Sequence, residues 1–105
     1  MDTGFIAERV AQLRIKRGLS AKRMSELLNW NDAYINNIES GKSLPSLDRL
    51  LAICEFLKIT PAQFFDVEEQ NPELLNETIQ MLKPLNDRQL TLILEMAKEM
   101  SRFRR

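Results

Sequence analysis

The sequence predicts an all-α protein, and three observations carry that expectation. Glycine is scarce, at 3 of 105 residues, while Leu, Glu, Lys, Met and Ala, all good helix formers, are plentiful. Apolar residues recur at three- and four-residue spacing along most of the chain. The segments so marked are bounded by residues that cap or break helices.

The first segment runs from about Gly4 to Arg17. Phe5, Ile6, Val10, Leu13 and Arg17 mark its stripe, and Gly18 supplies a left-handed residue to end it. The second opens with Ser20 as N-cap, carries Met24, Leu27 and Leu28 inward, and ends at Asn29, the non-glycine type that best tolerates the left-handed conformation. The third opens with Asn31 as N-cap, with Trp30 placed to staple onto Ile35; it buries Ile35 and Ile38 and stops at Gly41. Lys42-Ser43-Leu44-Pro45 is a connector. Ser46 then caps a fourth helix whose Leu47, Leu50, Leu51, Ile53, Cys54 and Leu57 are apolar most of the way round, the pattern of a central bundle helix. Thr60-Pro61-Ala62-Gln63 combines capping-box spacing with Pro at the first helical position, and Ile59 and Phe64 flank it as a staple.

Composition shifts at the polar, acidic run Val67-Glu68-Glu69-Gln70, so a domain boundary is expected near residue 67. Asn71-Pro72 restarts a helix bearing Leu74, Leu75, Thr78, Ile79 and Leu82, and Pro84 breaks it. Asn86, with Gln89 three residues on and Leu85/Leu90 as staple, opens a last helix reaching about Phe103. Residues 1–66 thus read as a five-helix domain and residues 67–105 as a two-helix hairpin appended to it.

Composition narrows the function. With 15 Lys+Arg against 15 Asp+Glu, no global positive field draws the chain to nucleic acid, so any such attraction must come from local clustering. No stretch is apolar enough to span a membrane, and Met1-Asp2-Thr3-Gly4 lacks the basic start and apolar run of a signal peptide. The single cysteine, Cys54, has no internal disulfide partner and sits on an apolar helix face, which points to a cytoplasmic chain with a buried, inert thiol. Histidine is absent, which removes the commonest general base and metal ligand; no enzyme activity, cofactor or metal is expected.

Residues 19–41 carry the functional signal. Two short capped helices separated by Asn29-Trp30-Asn31 fit the helix-turn-helix plan, in which the second helix offers its N-terminal side chains to the major groove of duplex DNA. Arg14, Lys16, Arg17, Lys22 and Arg23 cluster beside it with no acidic residue between them. With Arg14 paired internally, four positive charges remain, and phosphate contacts from such a cluster would position the protein without specifying sequence. Trp30, Phe56, Phe64 and Phe65 fall at staple and core spacings, not interleaved with basic residues, and read as core. The basic tail, Arg102-Phe103-Arg104-Arg105, reads as a frayed end, with an added phosphate contact as the alternative.

The run Leu13-Arg14 … Gly18-Leu19-Ser20 … Leu27-Leu28, Tyr34-Ile35-Asn36-Asn37-Ile38-Glu39-Ser40-Gly41-Lys42 and Leu44-Pro45-Ser46-Leu47 … Leu50 resembles the phage-repressor/Cro (XRE) helix-turn-helix family over about residues 5–65. The resemblance implies a five-helix repressor-like DNA-binding domain. It implies a buried structural ion pair between Arg14 and Glu39, in preference to a phosphate contact by Arg14. Ile35 and Ile38 match core positions of the recognition helix. Asp32, Ala33 and Asn37 match base-facing positions, while Tyr34, Asn36, Ser40 and Lys42 match positions at or near the sugar-phosphate backbone.

Asn suits base reading because its amide can bond adenine bidentately; Asn36 and Asn37 lie about 100° apart on a helix and cannot share one role, and Asn37 is the expected base reader. Two residues depart from the family pattern. Ala21 stands where the family commonly has a DNA-contacting Gln, and Asp32 lies where phosphates would approach. Asp32 fits stabilisation of the helix N-terminus better than acceptance from a cytosine amino group.

In the appendage, Leu90, Ile93, Leu94, Met96, Ala97, Met100 and Phe103 form a broad apolar face. Packing on the first domain would cover it; a homodimer interface through Leu90, Ile93, Leu94, Ala97 and Met100 is the favoured expectation, because one small domain reads few base pairs. The sequence therefore reads as a DNA-binding transcription regulator, a repressor acting as a homodimer on an inverted repeat. The alternative is a helix-turn-helix module that binds a protein partner such as a toxin, as an antitoxin-like subunit does.

Overall fold

Seven helices follow one another, with no strand among the described residues, in the computed structural model: α1 (Gly4–Lys16), α2 (Ala21–Leu27), α3 (Tyr34–Glu39), α4 (Leu47–Phe56), α5 (Pro61–Phe65), α6 (Pro72–Leu82) and α7 (Asp87–Ser101). The structure describes residues 4–66, 68 and 71–102. Val67, Glu69 and Gln70 of the acidic run, and Phe103, Arg104 and Arg105 of the tail, lie outside the described residues.

The first four helices end in the same way. After α1, Gly18 takes φ +76° while the Gly18 and Leu19 N–H groups donate to the carbonyls of Ile15 and Arg14 at 2.9 and 3.3 Å. Asn29 (φ +63°) does this after α2, Gly41 (φ +82°) after α3 and Lys58 (φ +59°) after α4, each with the same pair of backbone bonds. These are Schellman motifs, which satisfy the carbonyls a helix leaves open and turn the chain sharply back toward the core. Helix starts are equally well marked. Ser20 and Ser46 accept the Arg23 and Arg49 N–H groups, and Thr60–Gln63 and Asn86–Gln89 form complete capping boxes.

The chain divides into two compact units, Met1–Glu73 and Leu74–Arg105. In the first, Val10, Leu13, Met24, Ile35, Ile38, Ile53, Cys54, Leu57, Ile59 and Phe64 form one buried cluster to which all of α1–α5 contribute. Burial raises the Cys54 thiol above its ordinary pKa. Trp30 and Phe56 pack half-buried against the cluster, and Phe65 stacks on Phe5 at 5.8 Å.

Four expectations about packing need correction. Leu27 is 47 % exposed and not inward, because it lies on the outer side of α2 while Met24 and Ser25 face in. Leu47 and Leu51, at 70 % and 44 % exposed, show that α4 is not central: only its Ile53/Cys54/Leu57 side is covered. Asn31 does not cap α3 directly. Its Oδ1 accepts the Ala33 N–H at 2.9 Å, closing a turn that precedes the helix, and Ala33 is the N-cap with no side-chain bond of its own. With Ala33 as N-cap, Trp30 no longer holds the staple position expected of it; it packs on the core cluster that includes Ile35 and meets Tyr34 edge to face at 4.8 Å between ring centroids.

Arg9 is buried yet charged. Its Nε donates to the Phe64 carbonyl, Nη2 to those of Gln63 and Asp66 at 2.8 and 2.9 Å, and Nη1 to Gln12 Oε1 at 2.6 Å. One guanidinium thus holds the carbonyls at and just beyond the C-terminal end of α5 against α1.

In the second unit, the Leu85 N–H donates to the Leu82 carbonyl at 3.0 Å, so α6 closes before Asn86 begins α7. None of the described residues of α7 is buried: Leu90, Ile93, Leu94, Ala97 and Met100 are all exposed. Leu82, Asp87, Leu90, Thr91, Ile93, Leu94 and Ala97 line an open groove of about 660 Å³.

Candidate nucleic-acid interface

Helix α3 packs on α1 and α2 and is short, so its placement depends on bonds made to it from outside. Ser25, fully buried on α2, supplies one. Its Oγ donates to the Ala21 carbonyl at 2.9 Å and accepts the Ile35 N–H at 3.1 Å, satisfying an amide that α3 itself leaves open. At the other end, Glu39 receives Arg14 bidentately: Nε to Oε2 at 2.7 Å and Nη2 to Oε1 at 2.8 Å. The side chains are 16 % and 12 % exposed, and Arg14 Nη1 also donates to the Leu19 carbonyl at 2.7 Å. Hydrogen bonding to Glu39 raises the Arg14 pKa further, against the opposing effect of burial. Beyond Glu39, the Asn37 carbonyl accepts from the Lys42 and Ser43 N–H groups and from Ser40 Oγ, at 2.9, 3.2 and 3.2 Å. These bonds fix the loop that carries Lys42.

With Ile35 and Ile38 inward, a rotation of about 100° per residue sets Ala33 and Ser40 opposite the core, flanked by Asn36 and Asn37. Asp32, Ala33, Asn36, Ser40 and Lys42 are exposed; Tyr34 and Asn37 are half-buried. The outward surface of α3 is therefore short, polar and built largely from amide and hydroxyl groups, a composition able to read base edges.

A family model described as helix-turn-helix matches residues 10–64. The chain belongs to the Cro-type (XRE) helix-turn-helix family. No match emerges among curated proteins or among solved structures. In this helix-turn-helix protein α2 and α3 are the two helices of the motif, and residues 10–64 form the DNA-binding domain of a transcription regulator. No described helix is long and apolar enough to cross a membrane.

The basic cluster beside the motif is smaller than its sequence suggests. Arg17 turns inward: its Nη1 donates to the Phe56 carbonyl at 3.0 Å, its guanidinium lies 5.2 Å from the Phe56 ring centroid, and it approaches Glu73 at 3.7 Å. Arg14 is taken by Glu39. Lys16, Lys22 and Arg23 remain exposed, Arg23 with a loose contact to Glu26 at 3.8 Å. An exposed pair at that distance adds little and leaves Arg23 available to phosphate.

Ser25, Arg9 and Arg49 were missed by sequence reading. For Ser25 a signal existed: Ser is a poor choice inside a helix unless its hydroxyl bonds the preceding turn, and it stands between the inward Met24 and Leu28. For Arg9 and Arg49 there was none, since an isolated Arg in a helix reads as a solvated charge.

Proposed function

We propose that this protein represses transcription as a homodimer bound to an inverted repeat, with Asp32, Ala33 and Asn37 facing bases and Lys22, Arg23, Tyr34, Asn36, Ser40 and Lys42 meeting the sugar-phosphate backbone. The observation that carries the dimer is the uncovered apolar face of α7, where Leu90, Ile93, Leu94, Ala97 and Met100 lie exposed along the groove or beside it. Apolar surface of this extent on one helix favours association, and a second copy of α7 has the matching chemistry. Two linked domains read half-sites about one helical turn, ~34 Å, apart. Asn37 remains the preferred base reader, and the half-exposed Tyr34 sits at the start of α3, where a phenol can reach a phosphate oxygen. Repression is the simplest use of such a domain, because occupancy of a site overlapping a promoter blocks transcription without further chemistry.

Selection of bound duplexes from random-sequence DNA, followed by footprinting, tests this reading. An inverted repeat with half-sites one turn apart is the expected result; a single unrepeated site overturns the dimeric reading. A second reading, docking on a protein partner such as a toxin, is favoured by the exposed Leu44, Leu47 and Leu51 near the end of the motif and by the neutral net charge. Failure to shift any duplex at low salt would favour it.

A further inference from the structure

Helix α3 has a third anchor, at its N-terminal end, and it comes from α4. Arg49 places its guanidinium 4.8 Å from the Trp30 ring centroid and 4.4 Å from that of Tyr34, and the two rings themselves meet at 60°. Among the described residues no carboxylate pairs with Arg49. It also stands in the first turn of α4, where the helix dipole disfavours a cation, so its place does not serve α4. What it does touch is the turn of the helix-turn-helix and the first residue of α3, an end whose N-cap, Ala33, offers no side-chain bond.

We propose that Arg49 is a positioning residue for DNA reading: by stacking on Trp30 and Tyr34 it sets the direction in which α3 leaves the turn. Glu39 pins the far end of α3 through Arg14, and Ser25 holds the Ile35 amide through its hydroxyl and the Trp30 N–H through its carbonyl, but these hydrogen bonds leave the Trp30 and Tyr34 rings to Arg49 and the core. Without Arg49 the aromatic pair keeps its mutual edge contact and its packing on the core but loses the cation that bridges the two rings, and the exposed side chains at 32, 33 and 36 lose part of their fixed orientation. A planar guanidinium can lie against aromatic faces; a lysine ammonium keeps the charge but not the flat contact. The proposal rests on α3 being the DNA-reading helix, but the clamp itself is a property of the free protein.

The test uses the full chain with Arg49→Met and Arg49→Lys. In the free protein, amide hydrogen exchange at Tyr34, Ile35 and Asn37 is expected to quicken in Arg49→Met, and less in Arg49→Lys, while α1 keeps its protection. Trp30 is the single tryptophan, so its emission reports the loss of the stacked cation directly. On DNA, the ratio of affinities for the selected site and a mixed duplex should fall roughly tenfold in Arg49→Met, with the salt slope unchanged. Unaltered exchange at the three amides in both variants overturns the clamp, whether or not the protein binds DNA. A salt slope reduced by about 0.9 with discrimination intact would show instead that Arg49 is a phosphate ligand. If the parent binds no duplex, the proposed function fails and the exchange data alone decide the clamp.

Discussion

Ser25 and Ile35 are joined across the helix-turn-helix by a single hydrogen bond of 3.1 Å, from the Ile35 amide to the Ser25 hydroxyl. Both residues are fully buried, and the same hydroxyl donates to Ala21, so one oxygen links α2 to α3 with both of its capacities used. Ser25→Ala would leave the Ile35 N–H buried without a partner. The desolvation penalty of about 1–3 kcal/mol outweighs the roughly 0.5 kcal/mol that Ala gains in helix propensity. A net loss of about 1–2 kcal/mol is expected in urea unfolding. An unchanged midpoint would mean that water reaches the amide.

The Arg14–Glu39 pair behaves differently because both partners are ionised and nearly covered. Arg14→Ala should cost roughly 3–5 kcal/mol, since Glu39 would keep its charge without a partner and the Leu19 carbonyl would lose its donor. Removing both, as Arg14→Met with Glu39→Leu, should cost much less than either change alone implies. If Arg14→Ala melts like the parent and only binds DNA less well, Arg14 acts as a phosphate ligand.

The limits of sequence reading follow from these contacts. Caps and stops depend on one or two neighbouring residues, so Ser20, Asn29, Gly41, Ser46, Thr60 and Asn86 could each be assigned from spacing, and each has its expected conformation. Which side of a helix is covered depends on a distant partner. Leu47 and Leu51 fit a central helix by pattern and are exposed because no described element covers that side of α4. Arg17 was counted as a free cation because nothing nearby in sequence reveals Phe56 or Glu73. On the outward side of α3, exposure separates Asn36 from the half-buried Asn37, a difference that two adjacent identical residues cannot reveal.

Lys58 is the one Schellman position filled by neither Gly nor Asn, at φ +59°. A side chain there costs about 1–2 kcal/mol, while Gly gives back roughly 0.5–1 kcal/mol through the freedom of the unfolded chain. Lys58→Gly should therefore stabilise the first unit by about 0.5–1 kcal/mol, seen as a rise in Tm of roughly 2–6 °C. A fall in Tm would show that the Lys58 side chain contributes more than its backbone strain costs.

Charge substitutions should separate surface cations from buried ones. Neutralising Lys22 or Arg23 is expected to lower the log–log salt slope of DNA binding by about 0.9 for each lost phosphate contact. Arg17→Gln should leave the slope unchanged and reduce stability, because Arg17 is held by Phe56 and Glu73. The opposite outcome, a lower slope in Arg17→Gln alone, would place the phosphate path on the other side of α1.

The apolar face of α7 makes the dimer testable without harming the fold. Ile93 is 39 % exposed in the single chain and lines the open groove with Leu90, Leu94 and Ala97, so a carboxylate at position 93 can reach solvent there. In a dimer the same position would be desolvated against the second copy, where an unpaired carboxylate is strongly unfavourable. Ile93→Glu should therefore keep parental far-UV circular dichroism and a parental melt of the first unit, yet sediment as a monomer. Its affinity for one half-site should be unchanged, whereas its affinity for the inverted repeat should fall by roughly 10²-fold or more, as the second domain loses its high effective concentration. Sedimentation of the parent at micromolar concentration, free and on DNA, supplies the control. A parent that is monomeric in both states would sink the dimer and leave packing on the first domain as the role of the Leu90, Ile93, Ala97 and Met100 face.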